Sequence, residues 1–284
     1  MTALARPDAP DDPEAIAGAS ELRLNDLMGS LRSRRALLAW GAASLGAATI
    51  AGLGCARAPE ARAPAAPAPA PCGPGPGLLP EDLRLLAGPG EALTIVQRTP
   101  GARGVLRSSC RMLTRADELG VLERRMRASL AASKGVGIAA PQIGIGVRAI
   151  LVMHGARAAS PGVAPRPHVE LYINPRIVER SDELTLDYEG CLSVADVCGL
   201  VRRQRSIVVE HGLPGTRTAR LEASGFDARI LQHEIDHLEG ILYIDRVEGG
   251  LQPKDRLKEL REQLSREHPE LVSLRERQSV TAVL

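Results

Sequence analysis

Two histidines four residues apart, with a glutamate directly after the first, place the strongest constraint on how this chain can fold. The motif is His233-Glu-Ile-Asp-His237. In a helix, residues i and i+4 lie on one face about 5–6 Å apart, so both imidazoles can reach one metal ion. Glu234 then lies beside that ion and can accept and return a proton. The spacing predicts a metal-binding helix, which we expect over residues 227–239.

A catalytic site of this kind needs a third protein ligand and an open position for water. One extended form of the motif has a third His six residues after the second, but Tyr243 occupies that position. Glu259 or Glu262, in a charged stretch downstream, could serve instead. Cys191 is a further candidate, because it follows the alternating run 184–188, which predicts a strand. The spacing by itself leaves these alternatives open.

Three segments, taken together, resemble the peptide deformylase family. They are residues 135–144 (GVGIAAPQIG), 189–193 (EGCLS) and 232–240 (QHEIDHLEG). Their order and separations are similar to those of the family, and the resemblance covers approximately residues 84–267. It implies an α+β fold in which antiparallel strands pack around a central helix that carries the HExxH motif. It also implies a hydrolase that removes the N-terminal formyl group from formyl-methionyl peptides and releases formate.

The resemblance assigns the metal centre residue by residue. It implies that Cys191, His233 and His237 bind one divalent metal ion and that Glu234 is the general base and acid. The family commonly uses Fe²⁺, although a Cys/His/His set also suits Zn²⁺, Ni²⁺ or Co²⁺. A thiol beside a dication loses its proton at neutral pH and becomes a thiolate, which is consistent with a cysteine ligand.

The resemblance also implies residues that contact the substrate. The side chain of Gln142 and the backbone N–H of Leu192 would donate hydrogen bonds to the carbonyl oxygen in the transition state. The peptide would lie along Val136 and Gly137 as an added β-strand, with Glu189 also in the substrate site. Gly137 would allow the two backbones to approach closely. Taken alone, the glycines are more typical of a tight turn before an apolar strand.

The segment after Val194 departs from the family pattern. The family usually continues with a Pro, and many members carry an Arg a few residues later that helps to hold the substrate backbone. Here residues 195–201 read ADVCGLV, and Cys198 lies near the position of that Arg. Arg202 or Arg203 could compensate. We therefore expect an intact set of chemical residues and an altered peptide specificity.

Two alternative functions remain open at the level of sequence. The chain could be a metal hydrolase that acts on another N-acyl or peptide bond. It could instead be a tethered protein that binds formyl peptides or metal without turnover. The presence of Glu234 and Gln142 argues against the second alternative, because binding alone requires neither residue.

Composition indicates one catalytic domain and gives no support for nucleic-acid binding. Hydrophobic residues make up 44% of the 284 residues, but only one Trp, one Phe and three Tyr are present, so the core must be aliphatic. The net charge of +2 comes without a long basic run or an aromatic-interleaved patch. Apolar periodicity predicts helices over 117–133 and 253–267 and strands at 149–152, 169–173 and 207–209.

The other polar residues are expected to be structural. His154, His168 and His211 lack ligand spacing and are predicted to lie on the surface. Asp236 could orient the metal-binding histidines, although a structural ion pair is a commoner reason for such a residue. In cytoplasmic relatives the C-terminal helix can contact the ribosome, so the same contact is possible here if the chain is cytoplasmic.

The amino-terminal region resembles an export signal. Arg34 and Arg35 precede an uncharged stretch, residues 36–54, as in twin-arginine leaders, and Cys55 resembles a lipoprotein attachment site. We expect a leader over residues 1–55, an Ala/Pro-rich linker over 56–83, the catalytic domain over 84–267 and a tail over 268–284. The protein is expected to be exported or membrane-tethered, and the alternative is a cytoplasmic protein. The stretch could instead be an uncleaved helix, or the chain could start too early, in which case a start at Met28 would give a more compact basic leader.

Overall fold

The computed structural model describes residues 77–99, 104–117, 119–155 and 167–272, and the backbone of residues 280–283. The predicted leader, residues 56–76 of the predicted linker, and residues 273–279 and 284 of the predicted tail lie outside the described residues. Among the helices that are described, none combines the length and the apolar character needed to cross a membrane.

The described part of the chain has two α-helices, then eight consecutive strands, an α-helix, a short strand, a further α-helix and a last strand. The helices are α1 (Pro80–Leu86), α2 (Leu119–Ser133), α3 (Gly225–Leu238) and α4 (Leu257–Glu267). The strands are β1 (Gly137–Ala139), β2 (Ala149–His154), β3 (His168–Ile173), β4 (Arg176–Arg180), β5 (Leu184–Cys191), β6 (Val194–Gln204), β7 (Ser206–His211), β8 (Ala219–Ser224), β9 (Gln252–Pro253) and β10 (Val280–Val283).

The described strands form three sheets whose neighbours run antiparallel. Their orders are β1-β2-β3, β10-β8-β7-β4 and β5-β6-β9. Strands predicted from alternation and apolar runs all fall within observed strands, because short stretches rich in Val, Ile and Leu suit a pleated and largely buried surface. The predicted α+β class is confirmed.

Helix α3 is buried on almost every side. Of its fourteen residues only His233 has more than slight exposure. The apolar side chains of α3, including Ile230 and Leu231, pack with Ile150 and Val209 from two different sheets in one aliphatic core. Burial of such a side chain stabilises the fold by about 1.5–3 kcal/mol, so the helix that carries both histidines is held firmly.

The start of α3 is fixed by a glycine and its end by a Schellman motif. Gly225 has a φ of +60° and follows the N-cap Ser224. At the other end Gly240, with a φ of +70°, donates to the carbonyl of His237, and Ile241 donates to that of Asp236. These bonds satisfy carbonyls that the helix would otherwise leave unpaired. The predicted range, 227–239, therefore differs from the observed one by two residues at the start and one at the end.

Two predictions outside helix α3 need correction. The C-terminal helix begins at Leu257, because Gln252 and Pro253 form β9 against β6 and residues 254–256 form a 3₁₀ turn. His154 is not a surface residue. It is buried at the end of β2, where its Nε2 lies 2.6 Å from the hydroxyl oxygen of Tyr172.

Candidate metal centre and substrate cavity

The helix brings His233 and His237 together as the spacing predicts. Their ring centroids lie 5.1 Å apart on one face of α3. Cys191, at the end of β5, completes the group: its Sγ lies 3.3 Å from Nε2 of His237, and the three ligand atoms lie within 4.8 Å of one another. Among the described residues this is the one cluster of at least three His, Cys, Asp or Glu side chains close enough to share an ion.

These three residues fit a tetrahedral metal site with an open position. Bonds of about 2.0–2.3 Å place neighbouring donors of a tetrahedral site roughly 3.5 Å apart, close to the observed separation of Cys191 and His237. Two imidazoles and a thiolate form a donor set typical of Fe²⁺, Zn²⁺ or Ni²⁺. The alternative ligands Glu259 and Glu262 are both exposed on α4 and belong to no such cluster.

Glu189 holds one of the two histidines in place. Its Oε2 lies 2.9 Å from Nδ1 of His233, so the ring presents Nε2 to the metal site. The same carboxylate accepts bonds from Arg203, at 2.9 and 3.0 Å, and from Arg229, at 2.7 Å. Arg203 in turn contacts Asp236. The sequence predicted Glu189 as a substrate-binding residue; it does line the cavity, but its oxygens are engaged by these three side chains.

The electrostatics of the centre favour a charged sulfur and a fixed carboxylate. Burial would raise the pKa of the Cys191 thiol, but the adjacent His237 and His233 hold that pKa well below its usual range. Burial also opposes ionisation of Glu189, yet Arg203 and the hydrogen bond with His233 keep its pKa well below the ordinary value.

Gln142 is oriented by the backbone of its own turn. Its Oε1 accepts the N–H of Ala139 at 2.8 Å, which directs the amide NH₂ toward the centre. There Nε2 lies 3.4 Å from the Sγ of Cys191 and 3.3 Å from the Oγ of Ser193. The side chain is almost completely buried. Its donor group is therefore fixed before any substrate enters.

Glu234 lies against the first strand beside the three candidate ligands. A Cβ atom built on Gly137 would come within 2.5 Å of its Oε1, so only glycine leaves room for the carboxylate there. Oε2 of Glu234 is buried and has no hydrogen-bond partner among the described residues. Burial raises the pKa of Glu234 to about 7, although His233 and His237 oppose the rise.

A cavity of about 480 Å³ joins these groups. The predicted site residues that line it are Val136, Gly137, Gln142, Glu189, Cys191, Leu192, His233 and Glu234. His237 lies behind the cavity wall, next to the sulfur of Cys191. Apolar side chains from α3 and α4, Phe226, Ile230 and Leu257, complete a pocket suited to an apolar side chain.

Comparison with known families decides what kind of centre this is. A family model described as polypeptide deformylase matches residues 94–252, more than half of the chain. The chain belongs to the peptide deformylase family. Peptide deformylases are metal-dependent hydrolases that remove the N-formyl group from nascent peptides, so the predicted class of enzyme and reaction is confirmed.

Curated relatives and solved structures carry the same family name. Peptide deformylase 2 of Gloeobacter violaceus is 42% identical over 135 residues, which are 48% of this chain and 69% of that protein. The peptide deformylase of Heliobacterium modesticaldum is 42% identical over 146 residues, or 51% of this chain and 89% of the relative. A class I type b peptide deformylase from Acinetobacter baumannii, crystallised with Met-Ala-Ser, is 33% identical, with a TM-score of 0.48, and the match covers 55% of this chain and 98% of that structure.

Arg202 and Arg203 do not line the cavity. The sequence suggested that one of them could replace the substrate-binding arginine of the family, whose position lies near Cys198. Arg202 points to Glu248, at 2.7 Å, and Arg203 is buried between Glu189 and Asp236. The expectation that one of them compensates in the substrate site is therefore wrong. Each arginine is bound by carboxylate side chains, and nothing in the local sequence predicts these pairs.

Four cationic residues that do line the cavity were missed by sequence reasoning. They are Lys134, Arg229, Lys254 and Arg261. Lys134 directly precedes the glycine segment and Arg229 lies one turn before His233, so the sequence offered a local signal for these two. Lys254 and Arg261 come from the C-terminal region, and only the tertiary fold brings them to the cavity.

Proposed function

We propose that this chain hydrolyses the N-terminal formyl group of formyl-methionyl peptides with Glu234 as general base and acid. The convergence of Cys191, His233 and His237 next to one cavity that Glu234 and Gln142 also line carries this proposal. A divalent ion held by the three ligands would lower the pKa of a water in its open position to near neutrality. The chain's own residues supply the remaining steps.

Glu234 is suited to move the proton. Its buried and unpartnered Oε2 can accept a proton from the attacking water and later give it to the departing amine. The amide NH₂ of Gln142 and the backbone N–H of Leu192 donate to the formyl oxygen as negative charge develops on it. Glu189 keeps His233 in the orientation that the ligand set requires. The products are formate and a peptide with a free amine.

Formate release tests this proposal. The full chain, purified without oxygen and supplied with Fe²⁺, should release formate from formyl-Met-Ala-Ser. Glu234→Gln should retain the metal and lose roughly 10²–10⁴-fold in kcat, because a positioned acid and base typically contribute this much. Glu222→Gln, on the exposed face of β8, is the matched control. Substantial turnover by metal-loaded Glu234→Gln would exclude Glu234 as the base, and no turnover by the wild type would favour another acyl substrate.

The identity of the metal is part of the proposal. We propose Fe²⁺, because the resemblance to the family implies it and the Cys/His/His set accommodates it. Metal analysis of protein purified without oxygen should find one equivalent of iron. Zinc as the bound metal, with full activity, would contradict the proposal.

We also propose that the chain is exported or membrane-tethered through its amino-terminal region. The support is the sequence alone: Arg34 and Arg35 followed by the uncharged stretch 36–54. Replacement of both arginines by lysine should leave the protein in the soluble cytoplasmic fraction. Identical fractionation of wild type and variant would contradict export by this route and favour a cytoplasmic protein, for which contact with the ribosome becomes a testable possibility.

A further inference from the structure

Strand β1 can form hydrogen bonds with only one edge of a bound peptide, and the other edge also carries backbone groups that need partners. β1 is at the edge of its sheet, and residues 135–137 line the cavity. A peptide added to this edge directs the N–H and C=O groups of alternate residues toward β1 and those of the others away from it. The carbonyls that point away must find donors on the opposite wall. That wall consists of residues 189–192 together with Lys254, Leu257 and Arg261.

Position 198 cannot supply the donor on that wall. Cys198 is fully buried, and its Sγ lies 3.5 Å from the carbonyl oxygen of Pro253, to which it donates. The cause is β9, which pairs Gln252 with Cys198 and Pro253 with Val197. The strand that covers position 198 ends one residue before Lys254. The pairing of β9 with β6 therefore buries the side chain at position 198 and places the cation of Lys254 on the same wall of the cavity.

Lys254 is placed to use its donors on a substrate. Among the described residues its Nζ donates one hydrogen bond, to the carbonyl oxygen of Cys191 at 2.9 Å, and an ammonium group has three donors. A Cβ atom on Gly190 would lie 3.5 Å from Cε of Lys254, so the side chain crosses the backbone just before the metal ligand. The ammonium is thus fixed beside the reaction centre while the residue remains partly exposed.

Two other cationic residues of the cavity are paired with carboxylates, whereas Lys254 pairs with none among the described residues. Arg229 binds Glu189, Thr185 and a backbone carbonyl. Arg261 donates to the carbonyl of Tyr188 at 2.9 Å and lies 3.6 Å from Asp187.

Lys134 belongs to the opposite side, since it directly precedes Gly135 and β1. We propose that Lys254 binds a backbone carbonyl of the peptide downstream of the formyl-methionine, as the substrate-binding cation of this chain. The proposal rests on the deformylase function proposed above.

Binding of a product peptide tests the proposal without turnover. Calorimetry of the full, metal-loaded chain with Met-Ala-Ser amide should show Lys254→Met raising the Kd about tenfold or more, because a hydrogen bond to a charged donor typically contributes that much. Lys254→Arg should retain most of the affinity. Lys258→Met, on the exposed side of α4, is the matched control. The amide removes the terminal carboxylate, so the effect reports on the peptide backbone.

Turnover separates substrate contact from a structural role. Lys254→Met should raise the KM for formyl-Met-Ala-Ser amide by a larger factor than it changes kcat or the KM for formyl-methionine amide, with the metal content retained. An unchanged Kd overturns the proposal. Equal losses on both substrates together with lost metal also overturn it, because they would show that Lys254 supports the Cys191 strand. If the wild type binds the peptide through Lys254 but releases no formate, the deformylase function fails and the binding role stands.

Discussion

Gly137→Ala should damage the candidate base without removing any polar group. A Cβ at this position would lie 2.5 Å from Oε1 of Glu234 and 2.9 Å from Cγ2 of Ile230. Ordinary contacts between such atoms are about 3.5–4.0 Å, so the carboxylate or the strand must move by about 1 Å. A displacement of this size can reduce the rate about 100-fold. An added methyl group in a packed interior also destabilises the fold by about 1–3 kcal/mol.

The assay is formate release from formyl-Met-Ala-Ser, measured beside metal content and urea unfolding. We expect kcat to fall about 100-fold while the three metal ligands still bind one equivalent of metal. Gly250→Ala is the control, because no atom lies within 4 Å of its added Cβ. Wild-type kcat in Gly137→Ala would refute the reasoning, since it would mean that Glu234 is not confined against Gly137 or does not act as the base.

Two further predictions concern the charges behind the metal centre. Arg203→Met leaves Glu189 and Asp236 without their shared buried partner and should lower the free energy of unfolding, measured by urea denaturation, by about 3–5 kcal/mol. Arg205→Met removes an exposed ion pair and should lower it by at most about 1 kcal/mol. Equal effects of the two substitutions would contradict the argument. Arg246 makes two 2.7 Å bonds to Asp236 but is itself partly exposed, so Arg246→Met should lower the free energy of unfolding by about 1 kcal/mol at pH 7. Burial opposes ionisation of Asp236, but Arg203 and Arg246 hold its pKa below the ordinary value of 3.8, so this contribution is present above that value and is lost as pH falls through the lowered pKa. The difference between wild type and Arg246→Met should therefore shrink in acid, and a difference that persists there would show a packing effect instead.

The helix of the metal centre could be predicted because its signal is local. The i, i+4 spacing of His233 and His237 fixes which face both side chains share once a helix forms, and Gly240 provides the αL residue that ends it. The strands were equally accessible, since apolar runs of four to eight residues identify buried segments. The predicted site residues lie together around one cavity. This could be predicted because the family resemblance named Cys191 as the third ligand, which spacing alone left open.

What the sequence could not provide is the pairing of polar groups between distant elements. Glu189 contacts Arg203, 14 residues away, and Arg229, 40 residues away, while Lys254 reaches the carbonyl of Cys191 across 63 residues. Nothing in the local pattern distinguishes Arg203, which is buried, from Arg202, which meets Glu248.

The sequence by itself determined the helix that carries both histidines and the aliphatic strands, because hydrophobic periodicity and i, i+4 spacing act over one or two turns. The other candidate site residues came from the resemblance to the family. Only the tertiary structure decided which cation meets which carboxylate and which residues line the cavity. Those choices depend on sheet register and on the short strand β9, which places Pro253 against β6 and Lys254 at the cavity. A shift of one residue in that register would move each side chain to the other face of the sheet.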